Sequence, residues 1–247
     1  MTEHMKNIRI VMVIFNIPIR NEELPLLRGA VIKTTNFGND LFHNHNEEGV
    51  IYRYPLIQYK KIHGKAALVC FEHGTEAVYD FFSQTDWSLK LGNREEELRV
   101  ENVNATKFNT GVWNGQFYFR MTNWLPLNQE NYQKYHQSSH LSEKTAILEK
   151  VLLGNILTFL EGVGLKTDLV VKTGITRIAR EKVLRYRGQL MQSYDLHFWT
   201  NVSLPAYASL GKGASVGFGM ILPERHSAHS HGGSTRHSDQ GERNVNN

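Results

Sequence analysis

A single cysteine in 247 residues leaves no partner for an internal disulfide. That residue, Cys70, lies in the apolar run from Ala66 to Phe71, where a small buried hydrophobe is the expected role, and a reducing cytoplasm suits such usage. Long hydrophobic runs are missing as well. The longest N-terminal apolar stretch, Ile8 to Phe15, is broken by Arg9 and falls far short of the roughly 20 residues a membrane-spanning helix requires, so neither an export signal nor an anchor is expected. No close internal repeat is visible. Hydrophobic residues are 40%, charged residues 21% and aromatics 11%, values that exclude the disordered, collagen-like and membrane classes. The length allows one large domain or two small ones.

Acidic residues are absent from Gly49 to Phe71, where Arg53, Lys60, Lys61 and Lys65 stand without counter-charge. A second basic run extends from Lys166 to Leu190, in which Lys166, Lys172, Arg177, Arg180, Lys182, Arg185 and Arg187 face only Asp168 and Glu181. With a net charge of +4, these two stripes suit a polyanionic partner, although a solvated strand face accounts for either one equally well.

Ile8 to Asn16 is rich in β-branched residues and reads as a strand. A helix follows over about 22–33, with Pro25 tolerated in its first turn because the early amides lack partners. Tyr52 to Lys60 and Lys65 to Glu72 read as two strands joined by the turn His63-Gly64, Thr75 to Ser83 as a short helix, and Leu89 to Asn109 as a hairpin. This order is the ferredoxin-like βαββαβ unit. A second copy begins at Gln116, after the turn-prone Asn109-Thr110-Gly111 and Asn114-Gly115. Its helix spans Ser142 to Gly164 on the spacing of Ile147, Leu148, Val151, Leu152, Ile156, Phe159, Leu160 and Val163. Ser142 is placed to cap it and Gly164 to end it in a left-handed conformation. Strands are expected around 169–171, 185–190, 195–200 and 220–222. The predicted fold class is therefore α+β, with two tandem ferredoxin-like domains over residues 1–113 and 114–222. The segment 223–247, with His226, His229, His231 and His237 but almost no apolar residue, is expected to stay unfolded.

Two strings could carry chemistry. In Phe42-His43-Asn44-His45, imidazoles two positions apart point the same way on an extended backbone, and groups that titrate near neutrality can serve as acid and base. A plain surface loop and, with Glu47 or Glu48, the start of a zinc site are the other readings of that spacing. In Leu210-Gly211-Lys212-Gly213-Ala214-Ser215-Val216-Gly217-Phe218-Gly219, four glycines let a polyphosphate or RNA backbone approach main-chain amides, and Lys212 adds charge. It is not a nucleotide P-loop, because Gly213 follows the lysine and a strand rather than a helix follows the loop.

Taken in order, Leu27-Arg28-Gly29-Ala30, His43-x-His45, Tyr52-Arg53-Tyr54-Pro55-Leu56-Ile57-Gln58-Tyr59-Lys60, Asn123-Trp124-Leu125-Pro126-Leu127-Asn128 and Asn201-Val202-Ser203-Leu204-Pro205 with the Gly-rich loop resemble the CRISPR-associated endoribonucleases of the RAMP superfamily that cut repeat RNA into guide units. The likeness runs from about residue 8 to 222 and is nearest to the type I-B-like branch. It implies two ferredoxin-like or RNA-recognition-like domains and cleavage of CRISPR precursor RNA with neither cofactor nor metal, leaving 2′,3′-cyclic phosphate and 5′-hydroxyl ends. Carried over by position, the catalytic set is His43, His45, Tyr52 and Lys33, and the RNA-binding loop residues are Gly211, Lys212, Gly213, Gly217 and Gly219. Arg53, Lys60, Arg185 and Arg187 are expected to contact phosphates. Tyr186, Phe198 and Trp199 are candidates for stacking on unpaired bases, whereas Trp124 is expected to be structural. Repeat RNA, the CRISPR interference complex and a second copy of the chain are the implied partners, and no membrane is. The spacer Ala214-Ser215-Val216 between the glycine pairs is shorter than the family pattern, and the lysine sits before it.

Overall fold

A computed structural model of the chain describes residues 4–34, 45–46, 49–50, 54–82 and 87–224. Strand β1 (Met5–Pro18) leads through a one-turn 3-10 helix into helix α1 (Leu24–Thr34), where Pro25 occupies the second position as expected. After the short pair β2 (His45–Asn46) and β3 (Gly49–Val50) come β4 (Ile57–Ile62), β5 (Lys65–Phe71) and helix α2 (Gly74–Phe82). The turn between β4 and β5 carries His63 and Gly64 at positive φ, as the sequence predicts. The hairpin β6 (Ser88–Leu91) and β7 (Arg94–Glu97) precedes β8 (Val100–Trp124), which is 25 residues long.

Strand β8 organises the molecule. Its first half pairs with β1, from Phe15 opposite Val100 to Met5 opposite Gly111. Its second half pairs with β10 (Gln189–Ser203) on one side and with β11 (Met220–Glu224) on the other. The N-terminal strand order is thus β4-β5-β1-β8 and the C-terminal order is β9-β10-β8-β11, where β9 is Thr173–Tyr186. Both are the antiparallel permutation of a ferredoxin-like unit, and one strand serves as the last of the first unit and the first of the second.

Residue 113, near which the two units are expected to meet, lies inside β8, the strand they share. Several other expectations are corrected by this arrangement. Asn114-Gly115 does not turn the chain: pairing passes from Val202 opposite Val112 to Thr200 opposite Phe117, and residues 113–116 form a bulge. Gly111 serves close approach, since a Cβ there would stand 2.5 Å from the carbonyl oxygen of His4. Residues 169–171 lie outside any strand, and Arg187-Gly188 is the turn of the β9–β10 hairpin. The second unit also lacks its second helix: between β10 and β11 the chain forms only a short 3-10 turn, Ala214–Val216.

Helix α3 (Gln129–Gln137) was not anticipated, as its sequence is polar, but Asn128 caps it by accepting from the Asn131 amide at 2.8 Å. Helix α4 (Leu141–Gly162) is the expected long helix. His140 rather than Ser142 is its N-cap residue, and Gly164 follows at φ +76°. Two apolar cores result. One lies between α1, α2 and the sheet, holding Val13, Phe15, Leu27, Val31, Leu68, Cys70 and Phe81. The other joins the opposite face of that sheet, through Ile8, Ile10 and Phe71, to α4 and Trp124. Alternation along β1 accounts for the division, because odd positions from Val13 face the helices and Ile8 and Ile10 face the C-terminal half.

Candidate nucleic-acid interface

The apolar stripe of α1, Leu24, Leu27 and Val31, is buried in the first core. The adjoining stripe, Pro25, Arg28, Gly29 and Ile32, is left to line a cleft of about 740 Å³. The opposite wall is the tip of the β9–β10 hairpin, from Val183 through Arg185, Tyr186 and Arg187 to Gly188, and the floor is Val216, Gly217 and Phe218. Arg28, Arg185 and Arg187 therefore converge on one opening, with Glu22 as the acidic group at its rim. Lys212 belongs to the same field: partial burial, and then the Arg187 charge, hold its ammonium below the ordinary lysine range. Arg187 also lies over the Tyr186 ring, 5.5 Å from its centroid, and that ring meets Phe218 edge-on at 5.4 Å. Cations beside apolar and aromatic walls suit an anion that carries a planar group.

The glycine segment forms the floor by folding back on itself. Residues 208–210 run beside 219–221, with Leu210 donating to the Gly219 carbonyl at 2.9 Å and Ile221 to that of Ala208 at 2.8 Å. This neck requires Gly219, at φ +63°, because a Cβ there would overlap the Leu210 carbonyl. Gly217, at φ +86°, lets Leu24 of α1 pack down on the loop; a Cβ would stand 2.5 Å from the leucine Cδ1. Gly211 and Gly213 are also in the left-handed region. The loop is thus a structural joint between the halves as well as the floor of a basic cleft.

Of the residues singled out from sequence, His43, Tyr52 and Arg53 lie outside the described residues. The backbone of His45 is in β2, opposite Val50. Lys33 is exposed in the last turn of α1, so the helix that walls the cleft also carries this lysine. Gly217, Arg185 and Arg187 are brought together at the cleft, with Lys212 close by. Lys60 is corrected. It is fully buried, its Nζ donates to Ser209 Oγ, and it offers no surface for a phosphate. Lys65 is ion-paired with Glu101 at 2.5 Å, so the acid-free stretch of sequence is not a free cationic stripe in space. Lys182 of the second run is likewise paired, with Asp195 at 2.7 Å. Phe198 is buried and stacked on Phe119 at 5.4 Å, which removes it as a base platform. Trp124 is structural as expected, buried with its indole N–H donating to Asn155 Oδ1 at 2.9 Å. Arg28 was missed as a contact residue. The signal was present in its helical position, one step round from the buried Leu24-Leu27-Val31 stripe.

Two ferredoxin-like units built on one spine strand, with a glycine-floored basic cleft at their joint, define the architecture. The chain belongs to the Cas6b family: residues 6–109 match the Cas6b N-terminal domain and residues 111–223 the Cas6b C-terminal domain. An uncharacterized protein of Methanocaldococcus jannaschii is 29% identical over 136 residues, covering 54% of this chain and 91% of that protein. Among solved structures, a crystal structure of Cas6b is matched with a TM-score of 0.77 at 22% identity, covering 89% of this chain and 100% of the other. A CRISPR RNA processing endoribonuclease Cas6b is matched at 0.66 with the same identity and coverage. The type IV Cas6 crRNA endonuclease Csf5 is matched at 0.52 with 12% identity. At these identities the structural likenesses establish the fold.

Proposed function

We propose that this protein is a CRISPR repeat-processing endoribonuclease that cuts RNA by attack of the substrate's own 2′-hydroxyl. The observation that carries the reading is the basic, glycine-floored cleft against α1 in a chain of the Cas6b family. Cleavage of this kind needs a base for the 2′-hydroxyl proton, an acid for the departing 5′-oxygen, and positive charge on the phosphorane-like transition state. His43 and His45 share the base and acid work, Tyr52 orients a hydroxyl or phosphate, and Lys33 supplies charge. No metal or other cofactor enters this step, and the products carry 2′,3′-cyclic phosphate and 5′-hydroxyl ends. Gly211, Lys212, Gly213, Gly217 and Gly219, with Arg185, Arg187 and Arg28, bind the RNA; Arg53 is a further phosphate contact. Repeat RNA is the partner on this reading, with the interference complex and a homodimer as its assemblies and the cytoplasm as its location. Among the described residues no helix is long and apolar enough to cross a membrane.

The test uses repeat RNA from the same genome with a single deoxyribose on the 5′ side of the scissile phosphate. Replacing that ribose removes the nucleophile and spares nearly all phosphate contacts, so the substituted RNA binds normally and stays uncut, while the all-ribose RNA is cut in excess EDTA. Cutting of the substituted RNA, or inhibition by EDTA that added Mg²⁺ or Zn²⁺ reverses, points instead to a metal-activated water and to the histidines as ligands. Tight binding without any cutting identifies a non-catalytic RNA-binding member of the superfamily.

A further inference from the structure

Along β4, Gln58, Lys60 and Ile62 face away from α1, toward the C-terminal half. Gln58 and Lys60 are both fully buried there, as is Ser209 opposite them. Among the described residues no carboxylate pairs with Lys60. Its Nζ donates to Ser209 Oγ, and Gln58 Oε1 accepts from the Ser209 amide at 3.0 Å while the Gln58 side-chain amide donates to the Pro55 carbonyl at 3.0 Å. Burial holds the Lys60 amine well below the ordinary lysine range. A methionine would fill the same space without that desolvation penalty, so an amine here sacrifices stability for a directional contact.

The contact falls at a consequential point. Ser209 stands opposite Met220 in the neck of the glycine loop, and the neck is held from below by Gly219 donating to the Asn123 carbonyl at 3.3 Å. Two residues past the top of the neck the loop presents Lys212, and before it closes it passes Gly217 and Phe218 along the cleft floor. Lys60 thus ties the edge strand of one half to the stem of the loop contributed by the other.

We propose that Lys60 is a positioning residue: its bond to Ser209 sets the height of the glycine loop against α1, and so the width of the cleft and the placement of bound RNA relative to α1 and its Lys33. The proposal rests on the reading of the cleft as the RNA site. A loop that slides along β4 still offers its charges to phosphates, so RNA affinity is largely kept. The scissile phosphate is misplaced, and the chemical step suffers.

Lys60→Met, Ser209→Ala and the double variant, each compared with wild type, test this by three measurements. The melting temperature of Lys60→Met stays level or rises, its single-turnover cleavage of repeat RNA falls by about tenfold or more, and its RNA Kd changes by less than about threefold. Amide exchange at Leu210 and Gly219 speeds up by about tenfold, as a loosened neck requires. The double variant is no slower than the worse single, because both partners of one bond have been removed. Should Lys60→Met fail to fold, Ser209→Ala carries the same readouts without altering the lysine volume. Wild-type cleavage and wild-type exchange in a folded Lys60→Met protein overturn the proposal. If the wild type itself does not cut repeat RNA, the functional reading fails, and the exchange measurement still decides whether Lys60 holds the loop.

Discussion

Replacing Gly219 with alanine places a methyl group against backbone rather than against a movable side chain. At φ +63° the new Cβ would overlap the Leu210 carbonyl oxygen and stand 3.2 Å from the carbonyl carbon, and the two residues are already joined by a hydrogen bond of 2.9 Å. A left-handed conformation costs a side chain roughly 1–2 kcal/mol. Forcing atoms into a filled site costs about 1–3 kcal/mol more. The expected loss is therefore about 2–5 kcal/mol, and at roughly 2–4 °C per kcal/mol for a chain of this size the melting temperature falls by about 4–20 °C. Gly188 supplies the control. Its φ of +81° is comparable, but no heavy atom lies within 4 Å of an added Cβ. Gly188→Ala should lose only the conformational part, about 1–2 kcal/mol. Urea unfolding of both variants beside wild type measures the difference. Equal losses at the two positions would refute the reasoning, since they would mean that the neck of the loop yields without cost.

Three further outcomes are expected. His43→Ala together with His45→Ala abolishes cleavage while RNA affinity stays within a few-fold, because the pair acts on the transition state; filter binding beside a cleavage assay checks this, and equal loss of both counts against the assignment. Lys212→Ala weakens RNA binding and makes the slope of log K against log salt shallower by about 0.7 for a lost single-strand phosphate contact, measured by titration at several salt concentrations; an unchanged slope removes Lys212 from the interface. Deleting residues 225–247 leaves thermal stability and cleavage unchanged, as their composition offers nothing to a core. Glu224 is retained in that truncation because it pairs with β8 and bonds His197 at 2.8 Å, and a melting temperature lower by several degrees would show that the tail docks.

Local periodicity carried the N-terminal unit and the long helix. The β-branched run of β1, the His63-Gly64 turn, the spacing of Leu148, Leu152, Ile156 and Phe159, and the left-handed Gly164 each express a preference satisfied within a few residues, so each is legible in order along the chain. The tandem ferredoxin-like class followed from the sequence of such elements. Two things were decided only by tertiary pairing. Asn114-Gly115 has the chemistry of a turn, yet the pairing of β8 with β1 and β10 carries the strand through it and leaves a bulge, because long-range hydrogen bonds on both sides outweigh a local turn preference. Lys60 reads in sequence as a surface cation in an acid-free stretch. It is buried because β4, the edge strand of one unit, is covered by a loop about 150 residues further on, and period-two alternation gives no hint of which face a distant segment will cover. For the same reason the gathering of Arg28, Arg185 and Arg187 around one cleft was hidden, since a helix stripe and a hairpin tip meet only after both units have folded on their shared strand.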